Sequence, residues 1–249
     1  MTTIQILVLP GNSTFDEPTT PSGLKWKAAL NYLSTCPKWS STAWGRHLEA
    51  PDHVTILIDW VTIPAAQVFL TTYYHTFATL ISPLLAEPSS HPESHYVTDL
   101  NACVVEPAAA PGGKGGLTTM TKLSFSSLTA DQRFNLLPPT FDCYVQFLEQ
   151  AAEGFKGGHA SWAIWGEEKT LWMATSWETL EAEEKCEKTM MVEDGRTQKE
   201  ASLGRLFEKA DSKGREIYHV KWEMVNKDIM QWWMNSDNSV WPYIPLKDK

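Results

Sequence analysis

Five residues of this chain are of types that move protons and stand where a fold could bring them to bear. Asp59 ends the apolar run Ile56-Leu57-Ile58, where a carboxylate has to be paired, hydrogen-bonded or protonated. Asp99 lies mid-strand between Thr98 and Leu100. Were the two strands neighbours, the two carboxylates would push their pKa values apart, as a general acid and base need. His47 precedes a hairpin loop, and His75 follows Tyr73 and Tyr74 on a helix. A histidine exchanges a proton near neutral pH and a nearby tyrosine donates to a developing oxyanion, the parts that enolisation or ring closure requires. His47, Asp59, His75, Tyr74 and Asp99 are therefore the catalytic candidates. Each has a plainer reading as well: Asp59 as a helix cap, the histidines as solvated loop or helix residues. His53, His91 and His95 read as incidental. The His91-to-His95 interval matches a helical metal pair only in number, since Pro92 argues against a helix there, and no metal site is expected.

Around these groups the chain places large apolar surfaces. Trp44, Trp60, Tyr73 and Phe77 in the first half, and Trp162, Trp165, Trp172 and Trp177 in the second, would make flat walls for a polycyclic or polyene substrate, or would simply fill a core. His219 and Lys221 share one face of the last strand: facing a pocket, either would act as a base or hold an enolate, and facing water it would only keep the sheet surface soluble.

The elements that position them alternate. Residues 3–9 read as a strand ended by Pro10-Gly11, and Trp26, Ala29, Leu30 and Leu33 give a helix one apolar face. Strands through residues 43–48 and 54–60 follow, then an amphipathic helix with Phe69, Tyr73, Phe77, Leu80 and Leu84 at steps of three or four, then a strand over 96–105. The sequence begins this order again after residue 116. Trp44-Gly45 and Asp59-Trp60 match Trp165-Gly166 and Ser176-Trp177, with the longer hairpin loop assigned to the first copy. The expected fold is α+β, two tandem ferredoxin-like (βαββαβ) repeats packed as an intramolecular barrel. Residues 1–106 form the first repeat, 107–116 a Gly/Pro/Ala linker, and 117–249 the second repeat with a Trp-rich tail.

A net charge of -9 with no basic block excludes a nucleic-acid surface. Cys36, Cys103, Cys143 and Cys186 have neither CxxC nor Cys/His spacing and read as reduced. No signal-like or membrane-spanning stretch is present, so a cytoplasmic protein with no membrane partner is expected. GxGxxG, P-loop and GxSxG signatures are missing, so nucleotide-dependent chemistry and the common serine hydrolases lack their marks, and the expectation is that no cofactor is used.

The Ile4–Leu9 strand, the Trp44-Gly45 hairpin, the Ile-Asp-Trp ending at Trp60 and the Phe69 helix resemble the antibiotic-biosynthesis-monooxygenase family of dimeric α+β barrels, in particular its fungal members tied to secondary metabolism. The resemblance implies two halves pairing within one chain as a pseudo-dimeric monomer or weak homodimer, each with a pocket between sheet and helices. The expected function is cofactor-free cyclisation or isomerisation of an apolar polyketide or terpenoid intermediate. The alternatives are a cofactor-independent monooxygenase and a non-catalytic binding or scaffold protein.

Overall fold

Successive side chains of a strand point to opposite faces, so a strand that is largely apolar and buried along its length has to be covered on both. The strands β1 (Thr3–Pro10) and β3 (His53–Trp60) are of this kind, buried along almost their whole length. A computed structural model describes residues 3–12, 15–17, 19–86, 92–98, 117–127, 129, 138–165, 169–189, 203–204, 208 and 215–225. It shows how both faces are covered. Between and after β1 and β3 come α1 (Pro21–Thr35), β2 (Trp39–His47), α2 (Ile63–Val68), α3 (Tyr74–Ile81), β4 (Glu93–Thr98), β5 (Leu117–Ser124), α4 (Pro138–Ala151), β6 (Phe155–Trp162), β7 (Thr170–Trp177), α5 (Leu180–Thr189) and β8 (Arg215–Val225).

The eight strands form one antiparallel sheet in the order β4-β1-β3-β2-β8-β5-β7-β6. Each group of four runs last, first, third, second. The groups join where β2 pairs β8, from Thr42↔Val225 to His47↔Val220. The sheet curls until its outer strands also meet, through the bridge Val97↔Ala163, an Ile164 N–H to Tyr96 C=O bond of 2.8 Å and a Thr98 N–H to Ser161 Oγ bond of 3.3 Å. Counted from Trp60 and Trp177, which end β3 and β7, His47 and Ala163 hold the same place, and so do Val220 and Val97. Both seams therefore use one register.

Alternation then divides the apolar residues among three clusters. Ile4, Ile6, Leu57, Met120, Trp172, Val220 and Trp222 fill the inside of the curl. On the outer face of the first half, Trp26, Leu30 and Leu33 from α1 and Phe69 and Phe77 from the second helical region cover Leu7, Ile56, Ile58 and Trp60. On the second half, Phe141, Tyr144 and Leu148 from α4 and Cys186 from α5 cover Leu123, Leu171, Met173 and Trp177. Burying a side chain of this size stabilises the fold by about 2–3 kcal/mol. Local signals start the helices: the Thr20 hydroxyl accepts from Gly23 N–H at 3.0 Å with Pro21 in the first turn, and Thr62 accepts from Ala65 N–H at 3.4 Å ahead of Pro64.

Several expectations need correction. The second helix is not one regular helix, because a π turn over Phe69–Tyr73 separates α2 from α3. Its extra residue resets which side chains reach the sheet, and the Tyr32 hydroxyl donates to the Tyr73 carbonyl at 3.3 Å. Trp44 does not open the hairpin but lies inside β2 and shares its place with Ala160, while Trp165 lies beyond β6. The longer hairpin connection is in the second half, residues 163–169, against 48–52 in the first. The Trp-Gly similarity was a coincidence of sequence, whereas Trp60 and Trp177 each end the third strand of their group of four. The strand after Thr98, the linker at 107–116, the second piece of the last helix beyond Thr189 apart from its buried Leu203, and the tryptophan-rich tail lie outside the described residues.

The β2–β8 seam leaves no room at Gly45, where an added Cβ would stand 2.2 Å from the Lys221 carbonyl oxygen and 2.6 Å from Val220 Cγ1. Gly45→Ala is expected to destabilise the protein by about 2–3 kcal/mol. For a chain of this length that lowers the thermal midpoint by roughly 5–10 °C. A melting curve superimposable on wild type would show that the seam yields without cost.

Candidate functional site

Polar residues in an apolar strand have to find partners, and Gln5 in the middle of β1 finds two. It is fully buried on the helix-covered face, where its Oε1 accepts from Trp60 Nε1–H at 3.3 Å and its Nε2–H donates to Ser94 Oγ at 3.1 Å. Beside Ser94 stands the hydroxyl of Tyr96, which is 5 % exposed and makes no hydrogen bond of full geometry. Burial pushes the Tyr96 phenol up to about 12, and it raises Tyr74 as well, so both keep their protons at neutral pH. Phe69 and Phe77 flank Tyr74 at 6.0 and 6.5 Å, Trp60 lies tilted against Phe69 at 4.8 Å, and Trp165 reaches over from the far half to lie 4.6 Å from Tyr96. The half-buried edge is formed by Tyr73, Tyr74 and Trp165. This layer packs aromatic rings around two protonated phenols, groups that can donate hydrogen bonds to an oxygen that gains negative charge.

A second cluster lies inside the curl at one end. His47, 6 % exposed, bonds Thr55 Oγ1 at 2.8 Å through Nε2 and stacks on Tyr218 at 3.9 Å. Burial first, and then the nearby His53, lowers His47 to about 4, which keeps it neutral. Lys122, 9 % exposed, is bracketed by Glu93 at 3.2 Å and Glu216 at 3.1 Å, with His95 3.4 Å from Glu93 and 5.0 Å from Trp172.

The third cluster is on the outer face of the second half. His219 on β8 directs Nδ1 to Glu49 and Nε2 to Glu183 Oε2 at 3.1 Å, and Glu183 on α5 also accepts from Thr119 Oγ1 at 2.6–2.7 Å. The Glu183 partner above all raises His219 to about 9, against the opposing effect of burial, and Glu49 adds to it.

Thus the structure gathers Trp60, Tyr73, Tyr74, Phe77 and Trp165 in the first layer. Trp44 is buried deeper in the same cluster, 5.2 Å from Trp26 and 6.2 Å from Phe15, as core. It does not bring the catalytic candidates together. His75 is exposed on α3. Asp59 faces into the curl, 5 % exposed, and Thr62 rather than Asp59 caps the helix that follows. Four residues and about 13 Å of strand separate Asp59 from Thr55, the partner of His47. Asp99 lies outside the described residues, and β1 intervenes between β3 and β4, so these strands are not the neighbours that an Asp59–Asp99 pair would need. In the second half Trp177 is core against Phe155, and Trp162 packs half-buried on Phe125. His95, read as incidental, belongs to β4 and is 3 % exposed. Gln5, Ser94 and Tyr96 were missed as site residues, although a lone Gln within Ile4–Leu9 was the visible signal. Glu183 and Glu49 had none, since charged residues on a helix and in a loop read as solvated.

Neither a protein-family model nor a curated protein sequence matches this chain. Solved structures do share its fold. An anthrone oxidase-like protein superposes with a TM-score of 0.59 at 13 % identity, over 90 % of this chain and 91 % of its own. Proposed monooxygenases of Fusobacterium nucleatum subsp. nucleatum and Lactobacillus acidophilus NCFM give TM-scores of 0.57 and 0.55 at 7 % and 6 % identity, each over 91 % of this chain and 94 % and 96 % of theirs. The shared property is an α+β fold with a curled antiparallel sheet. Among the described residues no helix is long and apolar enough to cross a membrane, no group of three or more metal-ligating side chains assembles, and Cys36, Cys143 and Cys186 are free thiols.

The two histidines give opposite pH dependences. His219 is raised in the folded state, so its contribution is complete below the unfolded value near 6.5 and is lost as pH climbs through about 9. His47 is lowered, so its contribution is present above 6.5 and is lost as pH falls through about 4. Urea midpoints measured from pH 4 to 10 should decline on both sides, with His219→Gln flattening only the alkaline limb. An alkaline limb that persists in that variant would contradict the assignment.

Proposed function

We propose that this chain is an enzyme of natural-product metabolism that binds an apolar, aromatic or polyketide-like compound in the first layer and stabilises its enolate. The observation that carries the reading is the Tyr96 hydroxyl, buried, protonated and short of a full hydrogen bond within a layer of aromatic rings whose half-buried edge is Tyr73, Tyr74 and Trp165. A substrate carbonyl or phenol oxygen seated against Tyr96, with Tyr74 at the layer's edge, would receive donors that are aligned before charge develops, so little reorganisation is needed at the moment of reaction. Trp60 and Trp165 would hold the rings of the substrate, and the Gln5–Ser94 pair keeps Trp60 and the floor beneath Tyr96 in place.

Dioxygen is the partner we assign to that enolate. A methylene activated by adjacent carbonyl or aromatic groups loses a proton and then electrons to dioxygen. One oxygen atom ends as a carbonyl on that carbon, and the other leaves as water with the two hydrogens. Substrate and dioxygen alone balance this reaction. The solved neighbours with the same fold, an anthrone oxidase-like protein and proposed monooxygenases, bear names that agree with it. Ring closure or isomerisation through the same enolate is the second reading, favoured by an aromatic wall broad enough to fold a flexible chain into one reactive conformer. In either case we take the two halves, with their common strand order, as tandem copies of an antibiotic-biosynthesis-monooxygenase-like unit of the fungal type.

Deleting the gene in its native host and identifying what accumulates by mass spectrometry separates these readings. An intermediate lacking the oxygen of the lost product supports oxygenation, and an isomer of the product supports cyclisation. An unchanged profile overturns the enzyme reading in favour of a binding protein. On the accumulated compound, Tyr96→Phe should lower kcat roughly 100-fold with KM nearly constant, as removal of an oxyanion donor does. A Tyr96→Phe enzyme of normal turnover would move the site elsewhere.

A further inference from the structure

The two layers outside the sheet occupy corresponding places but hold opposite chemistry. Tyr96 pairs with Gln5 and His219 with Thr119, while Gln5 and Thr119 lie at the same distance along their strands from the partners of Trp60 and Trp177. His219 therefore stands where the other half has its phenol, and Thr119 where it has its amide. Glu183, buried to 4 % exposure, receives both the Thr119 hydroxyl and His219 Nε2–H, which fixes the ring and leaves Nδ1–H directed away from the helix.

On that side Glu49 takes two donors with one carboxylate. The His219 main-chain N–H reaches Glu49 Oε2 at 3.0 Å, and Nδ1–H meets Oε1. The main-chain donor is available because β2 ends at His47, so that beyond the Leu48 N–H to His219 C=O bond of 2.9 Å no strand partner remains for it. A main-chain amide and an imidazolium converging on the two oxygens of one carboxylate make a seat for that group, and charge-assisted bonds of this kind are the strong ones. Its two carboxylates differ in freedom. The Glu183 side chain is 5 % exposed and enclosed by β5, β8 and α5, whereas that of Glu49 is 49 % exposed and rides on the short surface connection at residues 48–52.

The geometry points to His219 and its main-chain amide as a binding seat for the carboxylate of a small acidic molecule, occupied in this structure by the chain's own Glu49. Glu49 is the lid of the seat and Glu183 its fixed floor. A free carboxylate enters when the 48–52 connection turns Glu49 outward, and the tethered side chain competes with it at a high effective concentration. The seat is independent of the Tyr96 layer, so either can fail without the other.

Acetate is the probe, with acetamide as the neutral control of the same shape, titrated into the full-length protein at pH 7 and read from the ring signals of His219 by NMR. Wild type should respond weakly. Glu49→Ala and Glu49→Gln should bind acetate at least about tenfold more tightly, with a saturable shift of the His219 ring signals and no response to acetamide. The ring nitrogen shifts report independently that His219 is protonated and that the variant is folded. If either variant keeps a protonated His219 and shows no saturable acetate shift, or if Glu49→Ala/His219→Gln binds acetate as well as Glu49→Ala does, the proposal is overturned. Should Glu49→Ala not fold, Glu49→Gln alone decides it.

Discussion

The structure depends on the closure of one sheet. An open antiparallel sheet presents unpaired N–H and C=O groups along its edges, and only pairing or covering removes that liability. Here the second strand of each half meets the last strand of the other, at β2–β8 and at the shorter β4–β6 contact, in the same register. Closure gives every strand an inside and an outside, and the period of two then assigns each side chain to one of them. Without it, Ile4, Ile6, Trp172 and Trp222 would form an exposed apolar face rather than a core.

The polar residues follow from the same division. Inside, side chains are withdrawn from water, so His47 is held neutral between Thr55 and Tyr218, while Lys122 reaches the half-exposed carboxylates of Glu93 and Glu216. Outside, helices cover the strands with side chains of varied length and leave room for networks at the layer between. The first half uses that layer for aromatic rings and hydrogen-bonding phenols. The second uses it for an ion pair that joins the 48–52 connection, β8 and α5. One arrangement of strands thus presents a neutral, ring-lined site and a charged one at corresponding positions.

The chemistry we assign follows from what burial does to each group. A phenol surrounded by rings keeps its proton and is a donor, whereas an imidazole between two carboxylates keeps its extra proton and is a cation. Both are fixed before a ligand arrives. The π turn between α2 and α3 belongs to the same picture, since it ends at Tyr73 on the half-buried edge of the aromatic layer, and such turns recur at functional sites.

Much of the architecture was legible in the sequence because apolar alternation and helical spacing are local. Runs such as Ile4–Leu9 and Val54–Trp60, and the face Trp26, Ala29, Leu30 and Leu33, gave the strands and the first helix, and Trp60, Tyr73, Phe77 and Trp165, singled out for their rings, fall with Tyr74 in one cluster. The π turn escaped because its hydrogen bonding shifts by a single residue, which composition does not record. The Trp44 match failed because a dipeptide carries no register. Only the tertiary structure decided that β1 separates β3 from β4, that Gln5 and Ser94 underlie Tyr96, and that Glu49 and Glu183 converge on His219 from residues 170 and 36 positions away. Those contacts cross the sheet and its seams, and a pairing between strands distant in the chain is set by closure of the whole sheet, not by any segment's own pattern.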